Sequence, residues 1–388
     1  MKKSAHLTNI LLVLAITAGL AACGRSNSDS SNASTVEVKV STISSNLEHP
    51  WGLAFLPDGS MLVTERPGRL RHVSTTGLAS AAISGVPAVD ARGQGGLFDV
   101  LIDPGFSSNR RIYFSYAEAG TGADAGKNGL AVARAELASN LQQLNNVSVI
   151  FRQTPKVAST AHFGGRLVWA ADGKLFITLG DRQLDSERGK AQDLSTHHGK
   201  IVRINSDGSV PADNPFLATP GALPEIWSLG HRNIQGAALH PVSGELWTSE
   251  HGPQGGDEIN IARAGKNYGW PVVTYGCEYG TCTPIGEGTH KDGMEDPLTW
   301  WVPTSIAPSG LAFYSGKDLP DWQGDLFSGA LAGKALWRLR LKGNSVSGRE
   351  ALLGNLDERL RAVVMGPDGH LYLLTDADKG RILRLDPR

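Results

Sequence analysis

Residues 56–66, LPDGSMLVTER, read as a single event: a Pro-Asp-Gly turn, a short apolar run, then a charged stop. Turn residues flanking a short β-prone run are the signature of a β-hairpin. The pattern returns as IDPGFSSNRRIYFSYAE from Ile102, AADGKLFITLGD from Ala170 and HPVSGELWTSEHG from His240. Two more copies follow, LPDWQGDLFSGAL from Leu319 and GPDGHLYLLTDADKG from Gly366. Strand-like runs fill much of the remainder (KIVRINSDG from Lys200, KALWRLRL from Lys334, GRILRLDP from Gly380). One unit per blade predicts an all-β chain folded as a six-bladed β-propeller of four-stranded antiparallel blades. The units are unevenly spaced, so several blades carry long insertions, the usual place for function on a repetitive scaffold. VEVKVSTI, from Val36, precedes the first hairpin with no partner of its own. It is expected beside the C-terminal strand, closing the ring, because a free edge invites association. A β-sandwich followed by a second β domain is the competing architecture, but no linker-like composition follows Thr35. Only Ala135–Leu144, AELASNLQQL, suggests a helix, and it reads equally as the edge of a hairpin loop.

The start of the chain stands outside this scheme. Lys2 and Lys3 precede an apolar run, Ile10–Leu20, too short for a comfortable membrane span. Leu20-Ala21-Ala22-Cys23 then resembles a bacterial lipoprotein processing site cut before Cys23. The expected organisation is a signal peptide over 1–22, a Ser/Asn-rich tether over 23–35 and the propeller over 36–388. Lipid on Cys23 would hold the exported chain at the periplasmic cell envelope, with an ordinary secretory signal as the alternative. With 37 Lys+Arg against 38 Asp+Glu the formal charge is −1, which gives no electrostatic case for nucleic acid or an anionic membrane surface as partner. Cys277 and Cys282 flank Glu-Tyr-Gly-Thr; in an oxidising compartment a disulfide is the natural reading, and a two-cysteine metal site the weaker one.

Binding chemistry concentrates between Leu229 and Pro271, in LGHRNIQG, SEHGPQGGDEIN and GKNYGWP. Pro and Gly at this density exclude a helix or a central strand and leave loops. Arg232 suits an anionic group, and Glu258 with loop carbonyls suits a hard cation. No GxGxxG joins a strand to a helix, so a dinucleotide fold is not indicated, and the histidines show no HExxH-type spacing for zinc.

Taken in order, HPWGLAFLPDG, RGQGGLFDV, HFGGRLVW, THHGKIVRINSDGSVPADNPF, LGHRNIQG, SEHGPQGGDEIN, KNYGWP and ERLRAVVMGPDGHLYLLTD resemble the soluble quinoprotein glucose/sorbosone dehydrogenases. Within that family they are most similar to the aldose sugar dehydrogenases that use pyrroloquinoline quinone (PQQ), and the similarity runs from about Val40 to the C-terminus. The resemblance implies a propeller carrying PQQ above a calcium ion, and oxidation of aldoses at the anomeric carbon to lactones. Electrons would pass to an external acceptor. His162 falls where the family places its base, a role a neutral imidazole suits near pH 7. Ala161 replaces an acidic neighbour common in the family, which leaves Asp181 as the candidate to orient the ring. Gln94, Arg232, Asn233, Tyr279, Lys334, Arg359 and Arg361 match cofactor positions. Arg232 would also stabilise charge on the quinone as hydride arrives. The carbonyls of Gly252 and Pro253 match the calcium turn, and Glu258 with the carbonyl of Tyr268 a further calcium position; Asp257 has no assigned duty. Trp300 and Trp301 could stack a sugar ring or simply pack.

Two other readings share the scaffold, since a propeller hosts unrelated functions. A calcium-dependent lactonase needs several carboxylates converging on a central ion and leaves Arg359 and Arg361 without a task. A non-catalytic lipoprotein binding sugars or proteins would need no cofactor. The preferred aldose, the acceptor and the oligomeric state are not legible in the residues.

Overall fold

A computed structural model describes residues 38–388; the signal peptide and tether expected over 1–35 lie outside them. Among the described residues, twenty-four strands form six four-stranded antiparallel sheets arranged in a ring. The innermost strands are Pro50–Phe55, Leu97–Ile102, Gly164–Trp169, Ile234–Leu239, Pro308–Phe313 and Leu360–Met365. Each packs against the next around the ring, and the last packs against the first.

All six hairpin units join the first strand of a blade to the second. Three use the same turn. Gly59, Gly173 and Gly369 sit at φ +82°, +78° and +85°. The preceding aspartates accept the N–H of Ser60 at 3.0 Å, Lys174 at 3.2 Å and His370 at 3.3 Å. The carboxylate mimics a backbone acceptor while glycine supplies the left-handed residue, so D-G fixes the fold-back locally.

Val38–Leu47 pairs antiparallel with the last strand, Gly380–Pro387, from Val38 opposite Pro387 to Leu47 opposite Gly380. The chain's start therefore completes the blade made by its end, as the lone N-terminal segment predicts. Ala135–Leu144 is not a helix: it ends one strand (Asn128–Leu137), turns, and begins the next (Leu144–Arg152). Ala131, Ala133, Ala135 and Leu137 alternate into one buried cluster, and that period of two decides for strand.

The apolar core lies between blades rather than at the ring's centre. Leu53 and Val63 of the first blade pack on Ala362, Leu374 and Tyr372 of the last, and Leu62 and Leu70 meet Ile112 and Phe114 of the second. Second strands such as Met61–Glu65 are buried along their whole length because blades cover both faces. The axis is thus left to loops and polar side chains.

Candidate active site

Every innermost strand starts at the same mouth of the ring, and every one shifts register within its first four residues. Such a bulge re-aims the side chains next to it. The residues leading into these strands converge on a cavity of about 380 Å³: His49, Gln94, Phe163, Asn233, Ala307 and Arg359 line it, with Trp51, Arg66, Gln235, Arg361 and Asp376.

His162 leads into the third inner strand. It is 4 % exposed, and its neighbours Phe163 and Gly164 line the cavity. Its backbone is left-handed, φ +48°, a conformation that persists for a residue with a Cβ only when its surroundings impose it. The constraints are visible. His162 N–H donates to Gln94 Oε1 at 2.9 Å. Nδ1 lies 2.7 Å from Asp181 Oδ1. Gly180 passes beneath, where a Cβ would collide with the His162 carbonyl. Asp181 is fixed in turn by the Trp270 indole N–H, 2.8 Å from Oδ2, and by the Gln183 N–H, 2.9 Å from Oδ1.

Because an ionised carboxylate only accepts, the shared proton belongs on Nδ1, and Nε2 keeps its lone pair. Nε2 has no hydrogen-bond partner among the described residues. Burial pushes the imidazole below its ordinary pKa against the pull of Asp181, and the charges of Arg232 and Arg182 add to the lowering. Burial alone would raise the Asp181 carboxyl, but its hydrogen bond to His162 and the charges of His162 and Arg232 hold it below the usual carboxylate range. The arrangement favours a neutral imidazole with its Nε2 lone pair unengaged among the described residues.

The opposite wall is cationic. Arg361 donates to Gln235 Oε1 at 2.8 Å and to Asp376 Oδ2 at 3.2 Å. Arg359 reaches the same Oδ2 only at 3.4 Å, and His49 Nδ1 lies 2.8 Å from Oδ1. Arg361 Nε is buried with no partner among the described residues, an orphan that an anionic ligand would satisfy. Two guanidiniums against one carboxylate, beside Trp51 and Phe163, fit a flat aromatic polycarboxylate such as PQQ.

The remaining expected residues divide. Gln94, Asn233, Arg359 and Arg361 line the cavity together. Arg232 does not: it donates to the carbonyls of His251, at 3.0 Å, and Gly252, and its guanidinium lies 5.2 Å from the Trp270 ring and 5.9 Å from that of Tyr279. Tyr279, 59 % exposed, contacts Arg232 at 3.4 Å, on a loop closed by the Cys277–Cys282 disulfide. Lys334 is not brought in. It pairs with Asp357 at 2.8 Å outside the cavity; its backbone is left-handed at φ +44°, and Leu331 takes the cavity position from that blade. Trp300 stacks on Tyr275 at 4.0 Å and Trp301 is buried, so both pack rather than face the cavity.

Gly252, Glu258 and Tyr268 meet at a narrow gap with Glu250 and Gly256. Asn260 Nδ2 bridges Glu250 at 3.1 Å and Glu258 at 3.0 Å, while its Oδ1 is buried without a partner among the described residues. Burial and the neighbouring Glu250 push the Glu258 carboxyl well above its ordinary pKa. A buried acid pair with a free amide oxygen and nearby carbonyls suits a hard cation. No group of three or more His, Cys, Asp or Glu among the described residues could hold a metal by side chains alone, so backbone carbonyls must complete any such site. The Gly252 carbonyl receives Arg232, so a cation bound there would have to displace the guanidinium. Pro253 adjoins it in the same turn. Asp257 has a structural duty, accepting from Gly252 N–H at 2.9 Å, Ser305 at 2.7 Å, Ile306 N–H at 2.7 Å and Ala307 N–H at 2.9 Å.

Sequence reasoning missed the roles of His49, Trp51, Trp270 and Asp376. All four lie inside or beside quoted motifs (HPWG, KNYGWP, LLTDADKG), but only the fold shows what they touch. His251, which lines both the cavity and the gap, was missed too; burial takes its imidazole down to about 3, with His162, Arg361 and Arg232 adding to the effect.

The chain matches the Glucose / Sorbosone dehydrogenase family over residues 47–384. It is 46% identical over 358 residues to aldose sugar dehydrogenase YliI of Escherichia coli, covering 92% of this chain and 95% of that one. The apo crystal structure of the soluble aldose sugar dehydrogenase from E. coli superposes with a TM-score of 0.87 at 46% identity, over 91% of this chain and 100% of the other. The PQQ-bound aldose sugar dehydrogenase of Streptomyces coelicolor gives 0.74 at 28% identity, over 90% and 99%. With a match that spans nearly the whole ring, this chain belongs to the glucose/sorbosone dehydrogenase family.

Proposed function

We propose that this chain is a PQQ- and calcium-dependent aldose dehydrogenase that oxidises sugars at the anomeric carbon to lactones and passes the electrons to an external acceptor. One observation carries the reading: an oriented, neutral His162–Asp181 pair beside a cavity whose opposite wall holds Arg359 and Arg361. Support comes from the two relatives named for aldose sugar oxidation, one of them solved with PQQ. Arg359, Arg361, Gln94 and Asn233 would hold the cofactor; the carbonyls of Gly252 and Pro253 would hold calcium beside it, and Glu258 with the Tyr268 carbonyl a further calcium ion. When bound, PQQ supplies a hydride-accepting quinone and calcium the Lewis acid that polarises it.

The protein's own part is proton handling. His162 Nε2 takes the proton of the anomeric hydroxyl, and Asp181 stabilises the resulting imidazolium through Nδ1–H. Trp270 keeps Asp181 in place, and the aromatic floor of Trp51, Phe98 and Phe163 keeps the site poor in water. Among the described residues the one carboxylate lining this cavity, Asp376, is already engaged by Arg359, Arg361 and His49, which leaves a lactonase without its convergent acids. We further propose export and lipid anchoring through Cys23, with the propeller displayed at the periplasmic envelope.

The test is reconstitution of the chain lacking residues 1–22 with PQQ and calcium, followed by dye reduction across a panel of aldoses. Sugar-dependent reduction requiring both additions, and lost in His162→Ala with PQQ still bound, is the expected result. Failure to bind PQQ would sink the reading. Membrane release on Cys23→Ser in whole cells tests the anchor separately.

A further inference from the structure

Arg182 adjoins Asp181 in sequence and is fully buried, a rare place for a guanidinium. It makes four hydrogen bonds: Nε to the Ala161 carbonyl at 3.1 Å, Nη1 to the Asn128 carbonyl at 3.0 Å, and Nη2 to Asn128 Oδ1 at 2.6 Å and the Ser159 carbonyl at 2.7 Å. Its plane lies 4.0 Å from the ring centroid of Phe163. The same loop answers back, since Ser159 Oγ donates to the Arg182 carbonyl at 2.6 Å. Arg182 thus grips the chain on both sides of His162: the carbonyls of residues 159 and 161 before it and the aromatic ring of 163 after it. Asn128, its far anchor, belongs to a strand of the neighbouring blade and is itself held by Asp90 at 2.8 Å.

We infer that Arg182 is the positioning residue for His162, clamping the loop of residues 159–163 so that the imidazole meets Asp181 in its left-handed conformation. Asp181 and Arg182 divide the work, the carboxylate holding the ring and the guanidinium the backbone that carries it. The fixed fork of an arginine is needed, because a lysine cannot reach three carbonyls and a side-chain amide at once. The inference rests on the reading of His162 as the base. Around that ring the charged or titratable groups are Asp181, Arg182, Arg232 and His251.

The experiment compares Arg182→Met and Arg182→Lys with the wild type by three readouts: the His162 side-chain NMR titration in the cofactor-free protein, PQQ affinity by absorbance titration, and aldose turnover. Expected for both variants are PQQ affinity within twofold of wild type and turnover lower by about 10²-fold, the scale of a misplacement near 1 Å. The His162 titration should move up in Arg182→Met, which loses a nearby charge and lets water reach the ring. In Arg182→Lys its resonance should broaden while the charge remains. A wild-type His162 titration and wild-type turnover in either folded variant overturn the inference. If Arg182→Met does not fold, Arg182→Lys and Asn128→Ala, which removes one anchor, decide it by the same readouts. Full turnover in His162→Gln would sink the base assignment instead, while the NMR comparison still reports whether Arg182 holds the ring.

Discussion

The two mouths of the ring are made by the same strands and differ in what their connections do. At one, the link between first and second strands recurs as the D-G turn of residues 58–59, 172–173 and 368–369, each closed by its own aspartate and glycine. At the other, the six approaches to the inner strands share a bulge but not a side chain: His49, Gln94, Phe163, Asn233, Ala307 and Arg359 line the cavity. Three of the six turns, set the same mechanical task, converge on one local solution. Approaches that must each contribute a different group to one cavity diverge. Regularity builds the scaffold, and departure from it marks the site.

This contrast can be attacked at either mouth. The largest effect should come from His162→Gln, which removes the proposed base but leaves the loop: turnover lower by about 10²–10⁴-fold, with melting temperature and PQQ absorbance titration unchanged. Retained activity would erase the distinction between the mouths. Next is Asp181→Asn, where the carboxylate that fixes the tautomer is lost; turnover should fall about 10²-fold or more. Asp181 raises the His162 pKa, so the acid limb of any residual activity should move to lower pH, visible in a kcat/KM profile. Arg361→Gln should leave the proton chemistry alone and weaken PQQ binding about 10–100-fold, one charge-assisted hydrogen bond's worth, read by equilibrium titration.

Smaller effects concern stability. Glu258 has a pKa raised in the fold above its ordinary 4.5, so its protonated form is favoured there and stability is lost as pH rises through the raised value. In the calcium-free protein, Glu258→Gln should therefore melt higher than wild type at pH 7, by about 2–4 °C for each kcal/mol relieved. Added calcium should stabilise the wild type and not the variant; a calcium response undiminished in Glu258→Gln would remove Glu258 from the cation site. The smallest change is expected at the turn mouth. Gly59 sits at φ +82° with only Thr75 Cγ2 near a would-be Cβ, at 3.8 Å. Gly59→Ala should cost about 1 kcal/mol from backbone conformation alone, seen in the melting curve, with turnover untouched.

The sequence shows some of this and hides the rest for physical reasons. Hairpins are legible because a D-G turn and the run after it are local, needing no contact beyond a few residues. His162, Gln94, Asn233, Arg359 and Arg361 are legible as members of motifs, and the fold brings them to one place. Lys334 is not brought there: its blade turns it outward to Asp357, and nothing local in LAGKAL announces this. Arg232 illustrates the intermediate case, an evident binding residue whose guanidinium rests on the Gly252 carbonyl. Asp257, an evident acid, serves as a brace for the 305–307 loop, which lies 48 residues away in sequence at its nearest contact.

By itself, the sequence determined the count of blades, the strand that closes the ring, the disulfide and the loops that carry chemistry, since each rests on short-range turn geometry, alternation or a nearby pair of cysteines. Only the tertiary structure decided which groups share the cavity and how they are held. Trp270 on Asp181, Asp376 on Arg361 and Arg182 around His162 join residues from separate stretches of chain or grip backbone atoms that no side-chain pattern encodes. Partners of that kind are chosen by the closure of the ring, which brings six distant approaches to one axis.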